Sequence, residues 1–233
     1  MSIKTLKTTL ALAAGALALT LAASPALAAQ ATTPVPAGVP NLTGKWINAT
    51  PMAALKPTSG AIPFTAKGKE AYAKNKAEKA AGKDPINDCL MQGYPRLMFT
   101  KYPFLIMQYG NHVDFLHQAN HTFRITYFGE KLDPEADPIW LGHPSAKWDG
   151  KTLVIDADAY NGETWLDYTG LPHGEKLQTE ERYNLAADGK TINATVKIAD
   201  PEYYSQPWTA AFTLKKEPGY SLEQFSCMAD HKM

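Results

Sequence analysis

The tightest constraint on the fold comes from the turns. From Phe104 onward, short runs of alternating residues are separated by Gly110-Asn111, Ala119-Asn120, Asp149-Gly150 and Asp188-Gly189. Pairs of Gly with Asn or Asp adopt the positive-φ turns that match the twist of two flanking antiparallel strands. The runs are Phe104 to Tyr109, His112 to Gln118, His121 to Phe128, a strand ending at Trp148, Thr152 to Asp156, Leu177 to Leu185, Thr191 to Ile198, Trp208 to Leu214 and Leu222 to Cys227. Leu42 to Ile47 reads as a first strand and Pro51 to Pro63 as a loop. Thr65 to Ala81, rich in Ala, Lys and Glu, is the one helix, with Thr65 as its cap and only a light apolar face. About eight to ten short strands with one helix predict a mostly β fold. The expected form is an antiparallel, lipocalin-like up-and-down barrel or a strongly curved sheet, with the helix on its surface.

The start of the chain reads as a targeting signal. Lys4 and Lys7 precede an apolar run from Leu10 to Ala23, and Ala26-Leu27-Ala28 offers small residues for cleavage near Ala28 or Ala29. The alternative is an N-terminal membrane anchor, for which the run falls short of the roughly 18 to 20 residues a span needs. The expected organisation is a signal peptide over 1–29, a disordered Pro- and Thr-rich lead-in over 30–41, and one barrel domain over 42–233. The expected location is the periplasm or the cell exterior, with no membrane insertion after cleavage. Formal net charge is 0 for the whole chain; losing Lys4 and Lys7 brings it to about −2. There is no basic stripe to neutralise phosphates, so nucleic acid is not an expected partner. Oligomeric state stays open. Two cysteines occur, Cys89 and Cys227. In an oxidising compartment they can pair, closing a loop that contributes up to about 4 to 5 kcal/mol; the alternative is two unrelated buried thiols.

Strand phase then places side chains. Leu177, Thr179, Glu181, Tyr183 and Leu185 share one face, and their neighbour strand offers Ile192, Ala194, Val196 and Ile198. Glu181 therefore points inward among apolar side chains, where a carboxylate needs a partner. In the earlier meander, Phe104, Ile106 and Gln108 share a face with Val113, Phe115 and His117, and with Thr122, Arg124 and Thr126. The opposite face is also largely apolar. If the first face is interior, Arg124 meets Glu181 there. The pair then either braces the barrel or lines a cavity that handles a polar group.

The loops add candidates. Trp140 and His143 lie in one connection, and Trp165, Asp167 and His173 in another. Aromatic loops with Asp and His at a barrel mouth carry function in many folds. His173 is the general acid/base candidate, with Asp167 to orient it; the alternative is a surface histidine without a role. Gln108, Phe115, His117, His143, Trp140, Trp165 and Tyr183 are the candidate ligand contacts. His117 and His121 have a metal-like spacing, but the intervening turn sends them to opposite faces, so no metal site is expected. No phosphate loop, dinucleotide fingerprint or G-x-S-x-G elbow occurs, and no cofactor is expected.

Several stretches together resemble a widespread family of uncharacterised secreted bacterial proteins of sphingomonad and acidobacterial type. They include Gly93-Tyr94-Pro95-Arg96 with Asp88-Cys89, His121 to Ile125, Asp137 to Gly142, Lys147 to Asp156, Asn161 to Asp167, Pro172-His173, Glu181-Arg182-Tyr183 and Tyr204 to Trp208. The chain departs at Ala146-Lys147, where relatives read glycine-arginine. Gly44-Lys45-Trp46 is similar to the G-x-W opening strand of lipocalin-like barrels. The resemblance implies a secreted barrel and no particular reaction. Two functional expectations follow. One is cofactor-free acid/base catalysis (a lyase, isomerase or hydratase step) on a small, partly apolar molecule, with His173 moving the proton, Arg124 holding an oxyanion, and Glu181 and Asp167 beside them. The other is a small-molecule binding protein of the cell envelope using the same cavity without turnover. A third reading, an envelope interaction protein, has no enclosed pocket.

Overall fold

A computed structural model describes residues 34–52, 54–133 and 135–223. Nine strands are formed: β1 Gly44–Asn48, β2 Phe104–Gln108, β3 His112–His117, β4 Phe123–Phe128, β5 His143–Asp149, β6 Thr152–Asp158, β7 Gln178–Leu185, β8 Thr191–Ala199 and β9 Trp208–Lys216. They close in sequence order into a barrel, β9 pairing back onto β1. Strict alternation would point the first and ninth of nine strands the same way, so a ninefold barrel cannot be antiparallel at every joint. The parallel joint is β4–β5, where Tyr127 pairs with Ser145 and Phe128 with Ala146. A parallel neighbour needs a crossover, and residues 129–142 supply it.

Two of the turns behave as their chemistry dictates, whereas at Gly110-Asn111 neither residue takes a positive φ. Asp149 pairs with Thr152 across Gly150-Lys151, and Gly150 sits at φ 59°, where a side chain would be strained. The Asp188 carboxylate accepts from the Lys190 and Thr191 amides and the Thr191 hydroxyl. These turns, at 109–111, 150–151 and 186–190, lie at one end of the barrel. The long connections 49–103, 159–177 and 200–207 gather at the other end.

That second end is corked. Every residue from 92 to 100 is buried although none lies in a strand, and residues 164–168 and 170–173 are buried beside them. Buried irregular backbone must satisfy its polar groups internally. The Leu97 amide donates to the Gly93 carbonyl at 2.9 Å, and the Asn48 side chain donates to the Met98 carbonyl at 3.0 Å. Arg96, fully buried, makes two bonds to Asp84 at 2.9 and 2.6 Å and lies over the rings of Tyr168 and Trp165. Tyr168 in turn donates to Gln92 at 2.7 Å. One cation thus ties the two buried loops together.

The helix α1, Ala66–Ala80, is capped by Thr65 as expected, its side chain accepting from the Gly68 amide. Gly68 is its one buried residue, because a Cβ there would stand 2.0 Å from the Tyr203 carbonyl oxygen. Asn75 and Lys79 donate to the carbonyls of Gly170 and Tyr168, so the helix clamps the cork from outside.

The expected inner faces are the buried ones. Phe104, Ile106, Val113, Phe115, Leu153, Ile155, Tyr183, Ile192, Ala194, Val196, Ile198, Trp208, Phe212 and Leu214 form the core with Trp46 and Leu42. Two expectations need correction. The lead-in is not free up to residue 41: Gln108 accepts from the Leu42 amide at 2.8 Å and donates to the Pro40 carbonyl at 3.1 Å. Leu222 and Glu223 form no strand, and the rest of the expected last strand lies outside the described residues. So do the expected signal peptide and Cys227, one end of the expected disulfide.

Candidate functional site

Arg124 and Glu181 meet inside the barrel. Arg124 Nη1 donates to Glu181 Oε1 at 2.7 Å, and each residue is 2 % exposed. Pairing of β4 with β3 fixes Arg124 opposite Phe115, and pairing of β7 with β6 fixes Glu181 opposite Ile155. Because β5 and β6 lie between β4 and β7 in the wall, the ion pair spans the lumen rather than running along it. Two tyrosines complete the arrangement. Tyr183 donates to Glu181 Oε2, and Tyr94, reaching down from the cork, places its ring 4.0 Å under the Arg124 guanidinium. The Tyr94 hydroxyl stands 2.6 Å from His117 Nε2.

Burial decides the protonation states. Desolvation and then the Arg124 charge push His117 down to about 3, so it is neutral at pH 7. Desolvation raises Tyr94 and Tyr183 and lifts Tyr160 to about 12, so these phenols keep their protons. Burial opposes the charge of Arg124, but Glu181 and the surrounding tyrosines outweigh it, and the net shift is upward. A protonated Tyr94 and a neutral His117 share that bond, in which either the phenol or Nε2–H can donate.

This network is not closed by the chain itself. Arg124 Nε and Nη2, His117 Nδ1, and the hydroxyls of Thr122 and Thr126 are buried with no hydrogen-bond partner. Thr122, just before β4, and Arg124 and Thr126 within it are buried at alternate positions, and the His117 amide donates to the Thr122 carbonyl at 2.7 Å. The five atoms therefore follow one line along the wall. Each buried polar atom left unpaired costs about 1–3 kcal/mol, more when charged. Five together approach the roughly 5–15 kcal/mol by which a domain is stable at all. A polar occupant of the lumen would relieve that cost.

The other expected site residues divide into three groups. Phe115, Tyr183 and His117 line the lumen with the ion pair: Phe115 packs at 5.7 Å from Tyr183, and His117 stacks on Phe104 at 4.8 Å. Gln108 is buried at the far end but spends its amide on the lead-in. His173, Asp167 and Trp165 belong to the cork. Asp167 does not orient His173, because its carboxylate accepts from the amides of Leu55, Thr169 and Leu171 and from the Thr169 hydroxyl. The partner of His173 is Thr164, 3.0 Å from Nε2, and the carboxylate acting on it is Asp200. Burial lowers His173 to about 4 despite the Gly174 carbonyl and Asp200. It touches the lumen only through Tyr160, whose ring meets it edge-on at 6.2 Å and whose hydroxyl reaches Thr179 at 2.8 Å. Trp165 serves as a platform for Arg96. Trp140 and His143 lie outside the lumen. His143 Nε2 is 3.0 Å from the Asp137 carbonyl, in a surface cleft of about 480 Å³ with Ile125, Tyr127 and Ile139. Of five surface clefts, none is lined by Arg124 or Glu181.

Sequence reasoning assigned no role to Tyr94, Arg96, Asp84, Thr164 or Asp200. Tyr94 and Arg96 stood inside the Gly93-Tyr94-Pro95-Arg96 stretch, but a loop carries no periodicity from which to infer that it folds inward.

Comparison with protein-family models and with curated proteins finds no match to this chain. Among the described residues, no group of three or more His, Cys, Asp or Glu side chains is placed to hold a metal ion, and no helix is long and apolar enough to cross a membrane.

Proposed function

We propose that this chain is a secreted small-molecule binding protein of the cell envelope, and that its ligand lies in the barrel beside Arg124. The observation that carries the reading is the line of unpaired polar atoms on the inner face of β4, set among aromatic and aliphatic walls. An ion pair that served only as a brace would leave those groups at full cost; a bound molecule satisfies them. The catalytic reading draws less support from the geometry. His173 and Asp167 are engaged with separate partners, and His173 Nε2 already faces Thr164. Export of the chain by its leader and a Cys89–Cys227 disulfide belong to the same proposal. The lysine-flanked apolar run supports the first and the oxidising compartment supports the second.

The test is native mass spectrometry of protein exported and purified without denaturation. A one-to-one adduct that is lost on unfolding, and missing from the charge-balanced double variant Arg124→Met with Glu181→Met, is the expected result. A folded protein whose native mass equals that of its polypeptide, with ordered water on Arg124 Nε and Nη2 in a high-resolution crystal structure, removes the reading.

A further inference from the structure

A second feature lies outside the barrel lumen, at the cork, and does not depend on what the lumen holds. Between the end of α1, the stretch 84–92 and the stretch 100–102 opens a cavity of about 280 Å³. That is near the lower end of the volumes of small-molecule sites. Met52, Ile86, Tyr102 and Tyr168 give it apolar walls. Met52 is 53 % exposed, so the pocket is reached from solvent.

The polar groups deep in this pocket are already paired. The Asp84 carboxylate accepts from both prongs of Arg96 and from the Ile86 amide. Gln92 donates to Asn120 and accepts from the Tyr168 hydroxyl. The Thr100 hydroxyl donates to the Tyr102 carbonyl, and the Asn87 side chain to the Gly82 carbonyl. The inner part of an occupant therefore meets little demand for hydrogen bonds and gains by covering apolar surface.

Charge at the rim is one-sided. Asp84 and Arg96 cancel, which leaves Lys79 and Lys101 as the charges lining the pocket. Among the described residues, neither lysine forms an ion pair. Lys79 is fixed by its bond to the Tyr168 carbonyl and keeps two of its three N–H donors. Lys101 is exposed and lies over the Tyr102 ring, 5.4 Å from its centroid. An apolar pocket rimmed by two ammonium groups fits a molecule that is apolar at one end and anionic at the other, and its tyrosines suit a ring.

We propose that this pocket binds a small aromatic carboxylate, with its ring against Met52, Ile86, Tyr102 and Tyr168 and its carboxylate at Lys79 and Lys101.

The probes are 2-naphthoate, 2-naphthamide and 2-naphthylmethylammonium, which share one ring system and differ in charge. Each is titrated at pH 7 and low salt into the purified mature protein, and backbone amide shifts are followed by NMR. Because exposed ion pairs contribute modestly, naphthoate is expected to bind about threefold more tightly than the amide and about tenfold more tightly than the ammonium. The shifts should centre on residues 84–87 and 100–102. Raised salt should erase the advantage of naphthoate. Lys101→Met, at an exposed position, should bring naphthoate to the affinity of the amide. Met52→Asp should weaken naphthoate further and favour the ammonium. Residue 52 sits at φ 56°, a conformation that Asp accepts more readily than Met, so this variant keeps the fold. Equal or tighter binding of the amide or the ammonium overturns the proposal. So do shifts centred elsewhere, unchanged affinity in Lys101→Met, or no saturable binding of naphthoate.

Discussion

Replacing Glu181 by Gln would remove one charge from the lumen while keeping the shape of the side chain. The amide oxygen can still accept from Tyr183, which now bonds Glu181 Oε2. Arg124, 2 % exposed and held charged by its surroundings, would then be an uncompensated cation in the core. Breaking a buried pair in this way costs about 3–5 kcal/mol. For a chain of this size each kcal/mol lowers the melting midpoint by about 2–4 °C, so a drop of about 6–20 °C is expected by scanning calorimetry. The control is the double variant with Met at both positions. It removes both desolvation penalties together with the attraction, and it should stay within about 2 kcal/mol of the parent. A single variant that loses less than about 1 kcal/mol would refute the reasoning, because it would mean that water reaches Arg124. A double variant as damaged as the single one would refute it differently, by showing that the polar pair is needed for packing alone.

Stability should fall on mild acidification. His117 and His173 are held to about 3 and about 4 by burial, whereas an unfolded imidazole takes a proton near pH 6.5. The unfolded state therefore binds the extra protons. Unfolding free energy should drop by about 1.4 kcal/mol per pH unit for each histidine as pH falls below about 6.5, levelling near 4 for His173 and near 3 for His117. Urea midpoints across that range check this, and His173→Gln should flatten the slope. Gly68→Ala, which on a free helix surface would gain up to about 1 kcal/mol, should instead lose about 1–3 kcal/mol, because the Tyr203 carbonyl occupies the space; thermal melts decide the sign. Arg96→Lys keeps the charge but gives up the two-pronged bond to Asp84 and the stacking on Tyr168 and Trp165. A loss of about 2–3 kcal/mol is expected, with limited proteolysis first cutting within 92–100 or 164–173 as the cork loosens.

Much of the barrel is legible in the chain because strands and two-residue turns are local chemistry. Gly150 and Asp188 act on their own neighbours, and period-two alternation tells which side chains share a face before any partner is known. Phase alone therefore turned Glu181 inward, and set Arg124 opposite it if the β2–β4 face that carries Arg124 is the interior one. The choice of which β2–β4 face turns inward was harder. Leu105, Met107, Phe123, Ile125 and Tyr127 make the outer face apolar too, and Phe123 remains 64 % exposed. The partner strands settle it, since Phe115, opposite Arg124, is fully buried.

The loops were beyond reach of such reasoning. Asp167 and His173 are six positions apart, yet the fold gives the carboxylate to the amides of Leu55, Thr169 and Leu171 and the imidazole to Thr164. Tyr94 reaches Arg124 only because the segment 92–100 turns into the barrel end. Sequence by itself determined most of the strands, the turns, the capped helix and the inward phase of Glu181, all set by interactions a few residues long. Tertiary structure alone decided the parallel β4–β5 joint, the cork, and which buried polar atoms found partners. Those depend on long-range closure, where a ring of nine strands must meet its own beginning.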